Sequence, residues 1–206
     1  MTTTFLLIRH ALHEYGGDRI AGRTADIHLS PDGMAQAQRL AASLQSTELD
    51  AVYCSPLERT CETAMHIAAG RAISPTVAPE LTELAFGDWA RRELAELRSE
   101  EHWKQFNAFR SGTRAPEGEL MIETQARIVG LMTTLRARHP GGRVALVSHG
   151  DVIRSALLYW LGSPIDMFMR LEIRCASISV VDLAEYGPYV RCVNALNFTP
   201  EVLSEL

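Results

Sequence analysis

The chain has 206 residues, 20 basic and 25 acidic side chains, a net charge of −5 and a hydrophobic share of 47%. Such a length allows one domain with room for a small subdomain, and buries enough surface to need no disulfide or metal staple. The ordinary composition excludes global disorder, and the acidic balance argues against general nucleic-acid or anionic-membrane binding, which want a broad basic surface.

The chain opens with a short apolar run, Phe5 to Ile8, as expected of a strand buried on both faces. Ser30-Pro31-Asp32 then signals a helix start: a cap residue, a proline at the first helical position and an acid in the first turn. Ala51 to Cys54 reads as a second strand. Ser55-Pro56 repeats the cap-and-proline signal, and Leu57, Thr60, Cys61, Ala64 and Ile67 form a helix face. Residues 71–82 read as extended or loop. From Arg91 to Phe109 the chain is charged and helical, with Trp103, Phe106 and Phe109 spaced by threes, and 110–119 reads as loop. The segment 90–120 is therefore expected to form a small lid.

Ile122, Ala126, Val129, Met132 and Leu135 mark a further helix, stopped by His139-Pro140-Gly141-Gly142. Arg143 to Ser148 is a buried strand. A helix follows at once, with Val152, Ile153, Ala156, Leu157 and Trp160 on its apolar side and Asp151 as its expected cap. Ser177 to Leu183 and Tyr189 to Leu196 read as a hairpin turned by Tyr186-Gly187-Pro188. Strands alternating with helices predict a three-layer α/β/α sandwich around a mostly parallel sheet, as one domain over 1–206.

Cys54, Cys61, Cys175 and Cys192 are spaced neither as a zinc site nor as a redox dithiol. The apolar run near the N-terminus is too short for a signal-peptide core, and no stretch reaches the ~20 apolar residues of a membrane span. A cytoplasmic protein with no membrane or nucleic-acid partner is expected.

Three strands end abruptly in polar chemistry. The first ends at Arg9-His10, the second at Ser55-Pro56 with Arg59 one turn further on, and the third at His149-Gly150 before a helix start. Ligands of open α/β sheets bind beyond the carboxyl ends of the strands, and helix N-termini favour anions. Singly, each residue has an ordinary structural explanation; Arg59, for instance, could pair with Glu58 or Glu62. As a set at three strand ends, two arginines and two histidines make a phosphate pocket. A neutral histidine can also be a nucleophile toward phosphorus. The spacing of His10 and His13, with no carboxylate cluster beside them, argues against a metal site.

These residues lie in motifs that resemble the histidine phosphatase superfamily, also called phosphoglycerate mutase-like. LLIRHA is similar to its arginine-histidine-glycine signature, and AGRTADIHLSPDGMAQAQRLA to its first loop and helix. VYCSPLERTCETA, LTELAFGDWA, APEGE and VALVSHGDVIRSALL resemble its later motifs, in the family's order. The resemblance implies a catalytic set of His10, Glu83, His149, Arg9 and Arg59. His10 would be the nucleophile that becomes phosphohistidine. Arg9, Arg59, His149 and Gly150 would hold the phosphoryl group, and Glu83 would be the general acid. It implies no cofactor and no metal. Ala11 replaces the family's usual glycine, His13 stands where threonine is common, and Gly16 where asparagine is common. Arg23 and Thr24 would then replace that asparagine in substrate binding.

The short chain and a lid carrying both signs of charge favour a phosphatase over a phosphoglycerate mutase-type phosphotransferase. FGDWA and SHGDVIR look most like the small bacterial phosphatases, α-ribazole phosphatase-like and broad-specificity members included. The expected partner is a small phosphomonoester. A phosphohistidine protein phosphatase is the further alternative, and the last strand could pair across a homodimer.

Overall fold

The computed structural model describes residues 1–196, 198, 199 and 201, so positions 197, 200 and 202–206 of the expected domain lie outside the described residues. In chain order, strand β1 (Thr3–Arg9) is followed by helix α1 (Pro31–Ser43), β2 (Ala51–Cys54), α2 (Glu58–Ala68) and the two-residue β3 (Thr76–Val77). Two short helices, α3 (Leu94–Leu97) and α4 (Glu101–Ala108), lead to the long α5 (Met121–Arg138). The chain then forms β4 (Arg143–Ser148), α6 (Gly150–Trp160), β5 (Ile178–Ala184) and β6 (Gly187–Ala195).

The six strands form one sheet in the order β3-β2-β4-β1-β5-β6. The first four in that order run parallel, and β5 and β6 add antiparallel. Alternate residues of each strand serve opposite faces, because side chains in a strand alternate with period two. Leu6, Ile8, Val52, Ala145 and Val147 pack with Ala37 and Leu40 of α1, Leu44 just beyond it, and Ala64 and Ile67 of α2. Phe5, Leu7, Val144 and Leu146 pack with Ile128, Met132, Leu135 of α5 and Val152, Ile153, Ala156, Leu157 of α6. Each large side chain fully buried there contributes about 1.5–3 kcal/mol. The result is the expected α/β/α sandwich. A third cluster, with Leu84, Phe86, Trp89, Leu97, Phe106 and Phe168, lies under the lid segment.

Register explains why the polar strand ends converge. Arg9 stands opposite Ser148, and Cys54 opposite Val147. The next residues, His10 and His149, therefore leave adjacent parallel strands at one level, and Ser55 leaves the neighbouring strand one residue earlier.

Several expectations are corrected. Ser55-Pro56 does not start α2: the helix begins at Glu58 after Leu57, and Ser55 Oγ accepts from Leu57 N at 3.3 Å in a local turn. Ser30, by contrast, does cap α1, accepting from Gly33 N at 3.1 Å. Asp151 does not cap α6; His149 holds that position and the Asp151 carboxylate faces arginines instead. The buried face of α5 runs through Met121, Thr124, Ile128, Met132 and Leu135, while Ile122 and Ala126 are exposed. The lid breaks into two short helices, and Phe109 is exposed while Phe106 is buried. The hairpin turns at Glu185-Tyr186, with Gly187 and Pro188 already paired in β6. The fold also brings Cys54 and Cys61 together, sulfur to sulfur 3.8 Å, and burial followed by the Cys61 contact pushes the Cys54 thiol up to about 12. No helix among the described residues is long and apolar enough to cross a membrane.

Candidate active site

Beyond the ends of β1, β2 and β4 lies a cleft of about 530 Å³, lined by Arg9, His10, His13, Arg59 and Glu83 on the sheet side. Arg98, Trp103, Lys104 and Asn107 of the lid face them. His10 is nearly enclosed, and its Nδ1 lies 2.7 Å from the Ala11 carbonyl. A carbonyl only accepts, so that bond places the proton of the neutral ring on Nδ1 and leaves the lone pair on Nε2. Burial, then the charges of Arg59 and Arg9, hold the His10 pKa well below the usual histidine value. The ring is therefore neutral and basic at Nε2 across the neutral range.

Two guanidiniums flank it. Arg9 Nη1 donates to the Ile173 carbonyl at 2.6 Å, and Arg59 Nη2 to the Gly22 carbonyl at 2.7 Å. Three of their buried nitrogens, Arg9 Nε and Arg59 Nε and Nη1, have no partner among the described residues. Both side chains line the cleft, and their guanidinium N–H groups, not all of them spent on the protein, make a cradle suited to anionic oxygens. His149 stands behind Arg59. Its Nδ1 accepts from Arg59 Nη2 at 3.3 Å and its Nε2 donates to Ser55 Oγ at 2.8 Å. Both ring nitrogens are thus engaged, and the ring is fully buried. Gly150 opens α6 directly beneath Arg9; a Cβ there would meet Arg9 Cζ at 3.4 Å.

Glu83 reaches the cleft from the loop before α3. Leu84 N donates to its Oε1 at 2.9 Å. Burial, reinforced by the nearby Asp151, pushes its pKa up to about 7, against the opposing pull of Leu84 N–H, Arg59 and Arg9. Its backbone is fixed from outside the cleft. Arg23 Nε and Arg127 Nη2 donate to the Glu83 carbonyl at 2.8 and 3.2 Å. Glu119 accepts from Ala85 N at 3.0 Å and pairs with Arg23 at 2.7 Å and Arg127 at 3.4 Å.

The fold therefore brings Arg9, His10, Arg59 and Glu83 into one cleft, with His149 and Gly150 immediately behind it. It does not bring Arg23 or Thr24 there. Arg23 is spent on Glu119 and the Glu83 backbone, and Thr24 donates its backbone N–H to Ala21 in a turn. Among the described residues no group of three His, Cys, Asp or Glu is placed to hold a metal ion.

The model of the histidine phosphatase superfamily (branch 1) matches residues 5–196. The chain belongs to that superfamily. A probable phosphoglycerate mutase GpmB of Proteus mirabilis is 34% identical over 180 residues, 85% of this chain and 83% of that protein. The α-ribazole phosphatase from Shigella flexneri superposes with a TM-score of 0.82 at 25% identity, covering 94% of this chain and 96% of the other. The phosphoserine phosphatase of Entamoeba histolytica, solved with 3-phosphoglyceric acid, gives 0.83 at 25% identity, covering 95% and 100%.

Sequence reasoning missed five residues that build the site of this histidine phosphatase: Ser55, Arg110, Glu119, Arg127 and Asp151. Asp151, read as a cap, pairs with Arg110 at 3.1 Å and Arg154 at 3.8 Å. Arg110 is buried between the Phe106 and Phe168 rings, 4.1 Å from each centroid. Arg127 and Ser55 orient Glu83 and His149 as described. The APEGE motif was the available signal for Glu119; nothing local marks Arg110 or Arg127, whose partners are distant in sequence.

Proposed function

We propose that the protein is a phosphomonoester hydrolase that works without a metal through a phosphohistidine on His10. The observation that carries this reading is His10 itself: its proton is parked on Nδ1 by the Ala11 carbonyl, and its ring lines the cleft beside the Arg9 and Arg59 guanidiniums. In the first step Nε2 attacks phosphorus, the bond to the leaving oxygen breaks, and that oxygen takes the proton of Glu83. In the second, the Glu83 carboxylate takes a proton from water, the water oxygen bonds to phosphorus, and the P–N bond breaks. Orthophosphate leaves and His10 is restored. Arg9 and Arg59 stabilise charge on the transferred oxygens, the main demand of phosphoryl transfer. In this reading His149 supports the cradle by holding Arg59.

The substrate is a small phosphorylated metabolite, which suits a cleft of about 530 Å³. The phosphatases that share its fold support hydrolysis. The curated relatives favour a second reading, a phosphoglycerate mutase-type transfer in which the phosphohistidine returns its group to a bound sugar acid. The lid favours hydrolysis, since its charges are mixed: Arg98 and Lys104 stand among Glu96, Glu100 and Glu101. A cytoplasmic setting fits the four free cysteines.

The test is hydrolysis of p-nitrophenyl phosphate in excess EDTA, wild type beside His10→Ala. Activity in the wild type, lost by about a thousandfold or more in the variant, is expected. A folded wild type that is inactive here but isomerises phosphoglycerates would establish the mutase reading instead.

A further inference from the structure

Two imidazoles, His10 and His13, line the cleft, and a third, His149, stands behind His10. The His10 centroid lies 5.2 Å from His149 and 5.3 Å from His13. The two already described have their ring nitrogens assigned: His149 is bonded at both, and His10 is bonded at Nδ1 with Nε2 reserved for phosphorus. His13 has no such explanation. The residue is only 7% exposed, yet it lines the cleft, and its ring makes no hydrogen bond among the described residues. Its Nδ1 is sealed from solvent without a partner. The atom left for a ligand to reach is Nε2.

The backbone holds this ring in place. His13 pairs with Leu29 in an isolated bridge, and its carbonyl accepts from Gly16 N at 2.9 Å. Tyr15 packs edge-on against the ring at 6.4 Å. A neutral imidazole always carries one N–H, and burying an N–H without an acceptor is costly. The charged neighbours of His13 are Arg59 and Arg9, which are donors themselves. It bonds to neither acid of the cleft, Glu83 or Asp151. With Nδ1 sealed, the proton belongs on Nε2, the ring nitrogen open to the cleft, where an oxygen of a bound ligand can replace water as the acceptor.

We propose that His13 is a further catalytic residue, donating Nε2–H to a phosphoryl oxygen beside His10. The inference rests on the phosphohistidine reading for where the phosphoryl group sits. Burial, then Arg59 and Arg9, lower the His13 pKa to about 4, so the ring meets the ligand neutral and with a single proton to offer. A phosphoryl dianion cancels the field of both guanidiniums and strengthens that donor.

The test is calorimetric titration with inorganic orthophosphate of wild type, His13→Phe and His13→Gln. Phenylalanine keeps the ring's shape and the Tyr15 contact but has no donor; glutamine places an amide N–H near the Nε2 position. Loss of one hydrogen bond to a charged group should weaken orthophosphate about tenfold or more in His13→Phe, with His13→Gln within about threefold of wild type. The kcat/KM for p-nitrophenyl phosphate should follow the same order. Binding by His13→Phe within about threefold of wild type would overturn the proposal. So would equal weakening in both variants, which is the mark of a packing role. A wild type that fails to bind orthophosphate would overturn it too. Should His13→Phe not fold, ¹⁵N spectra of the wild-type histidines decide: the His13 ring nitrogens must shift on orthophosphate binding, and their failure to move refutes the contact. A protein that binds orthophosphate as expected but forms no phosphohistidine would refute the hydrolase reading alone.

Discussion

Glu83 and His10 are both carried into the same cleft, and burial acts on them in opposite senses. Loss of water disfavours whichever form is charged, so it lowers a histidine and raises a carboxylic acid. His10 becomes a neutral nucleophile, and Glu83, pushed up to about 7, keeps its proton near neutrality. That is the pairing a phosphomonoesterase needs, and it fixes a pH dependence. The acid works only while protonated, so kcat/KM for alkyl phosphates should fall as pH rises through about 7, while His10 stays neutral throughout. Glu83→Gln has no proton to give. It should lower kcat/KM for alkyl phosphates by about a hundredfold to ten-thousandfold, and far less for p-nitrophenyl phosphate, whose leaving oxygen needs no proton. The ratio kcat/KM is the right measure because it stops at phosphoryl transfer to His10 and excludes the later attack of water. Equal losses on both substrates would remove Glu83 from the acid's role.

Glu83 has no regular element of its own, and its position comes from two loops that lock together. Gly87 has φ of +52°, and a Cβ there would fall 1.8 Å from the Pro116 carbonyl oxygen. A Cβ on Gly118 would lie 2.1 Å from the Ala85 carbonyl oxygen. Between them Asp88 N donates to Pro116 O at 3.0 Å and Glu119 N to Ala85 O at 2.9 Å. Gly87→Ala meets both a disfavoured backbone region and a backbone atom that cannot yield. It should destabilise the protein by about 2 kcal/mol or more, read from urea midpoints. It should also reduce activity on alkyl phosphates more than on p-nitrophenyl phosphate, since the acid moves and the cradle does not. A variant with wild-type midpoint and wild-type substrate ratio would show that the two loops do not position Glu83. This dependence on tertiary contact also sets what the sequence reveals. Strands β2 and β4 are legible to the residue, because an apolar run flanked by polar residues or turn signals reports burial directly. The arginine-histidine strand ends are legible for the same reason, and their convergence follows from the parallel order. Ser55-Pro56 and Asp151 are not. Each carries a sound local capping signal, and each is overridden by a distant partner, His149 in the one case and Arg110 in the other.

At the scale of the whole molecule, a buried ion pair helps join the lid to the catalytic layer, beside the apolar cluster under the lid. Arg110 follows α4 and lies between Phe106 of the lid and Phe168, which belongs to the third core cluster. Its Nη2 donates to Asn107 at 2.7 Å and its Nη1 to Asp151 at 3.1 Å in the first turn of α6. Asp151 faces the cleft as well, and after burial it is the second cause of the raised Glu83 pKa. One carboxylate thus anchors the lid and keeps the acid protonated. Asp151→Asn separates the consequences. It leaves the buried Arg110 guanidinium without its ion-pair partner, which should cost about 3 kcal/mol of stability. It also removes a negative charge from beside Glu83 while Arg110 and Arg154 remain. The Glu83 pKa must then fall, and the alkaline limb of kcat/KM for an alkyl phosphate should move to lower pH. The protein would be less stable and its acid would be lost earlier, while p-nitrophenyl phosphate, indifferent to the acid, would show no shift of that limb. A destabilised variant whose alkaline limb stays in place would confine Asp151 to anchoring the lid and leave burial as the source of the Glu83 shift.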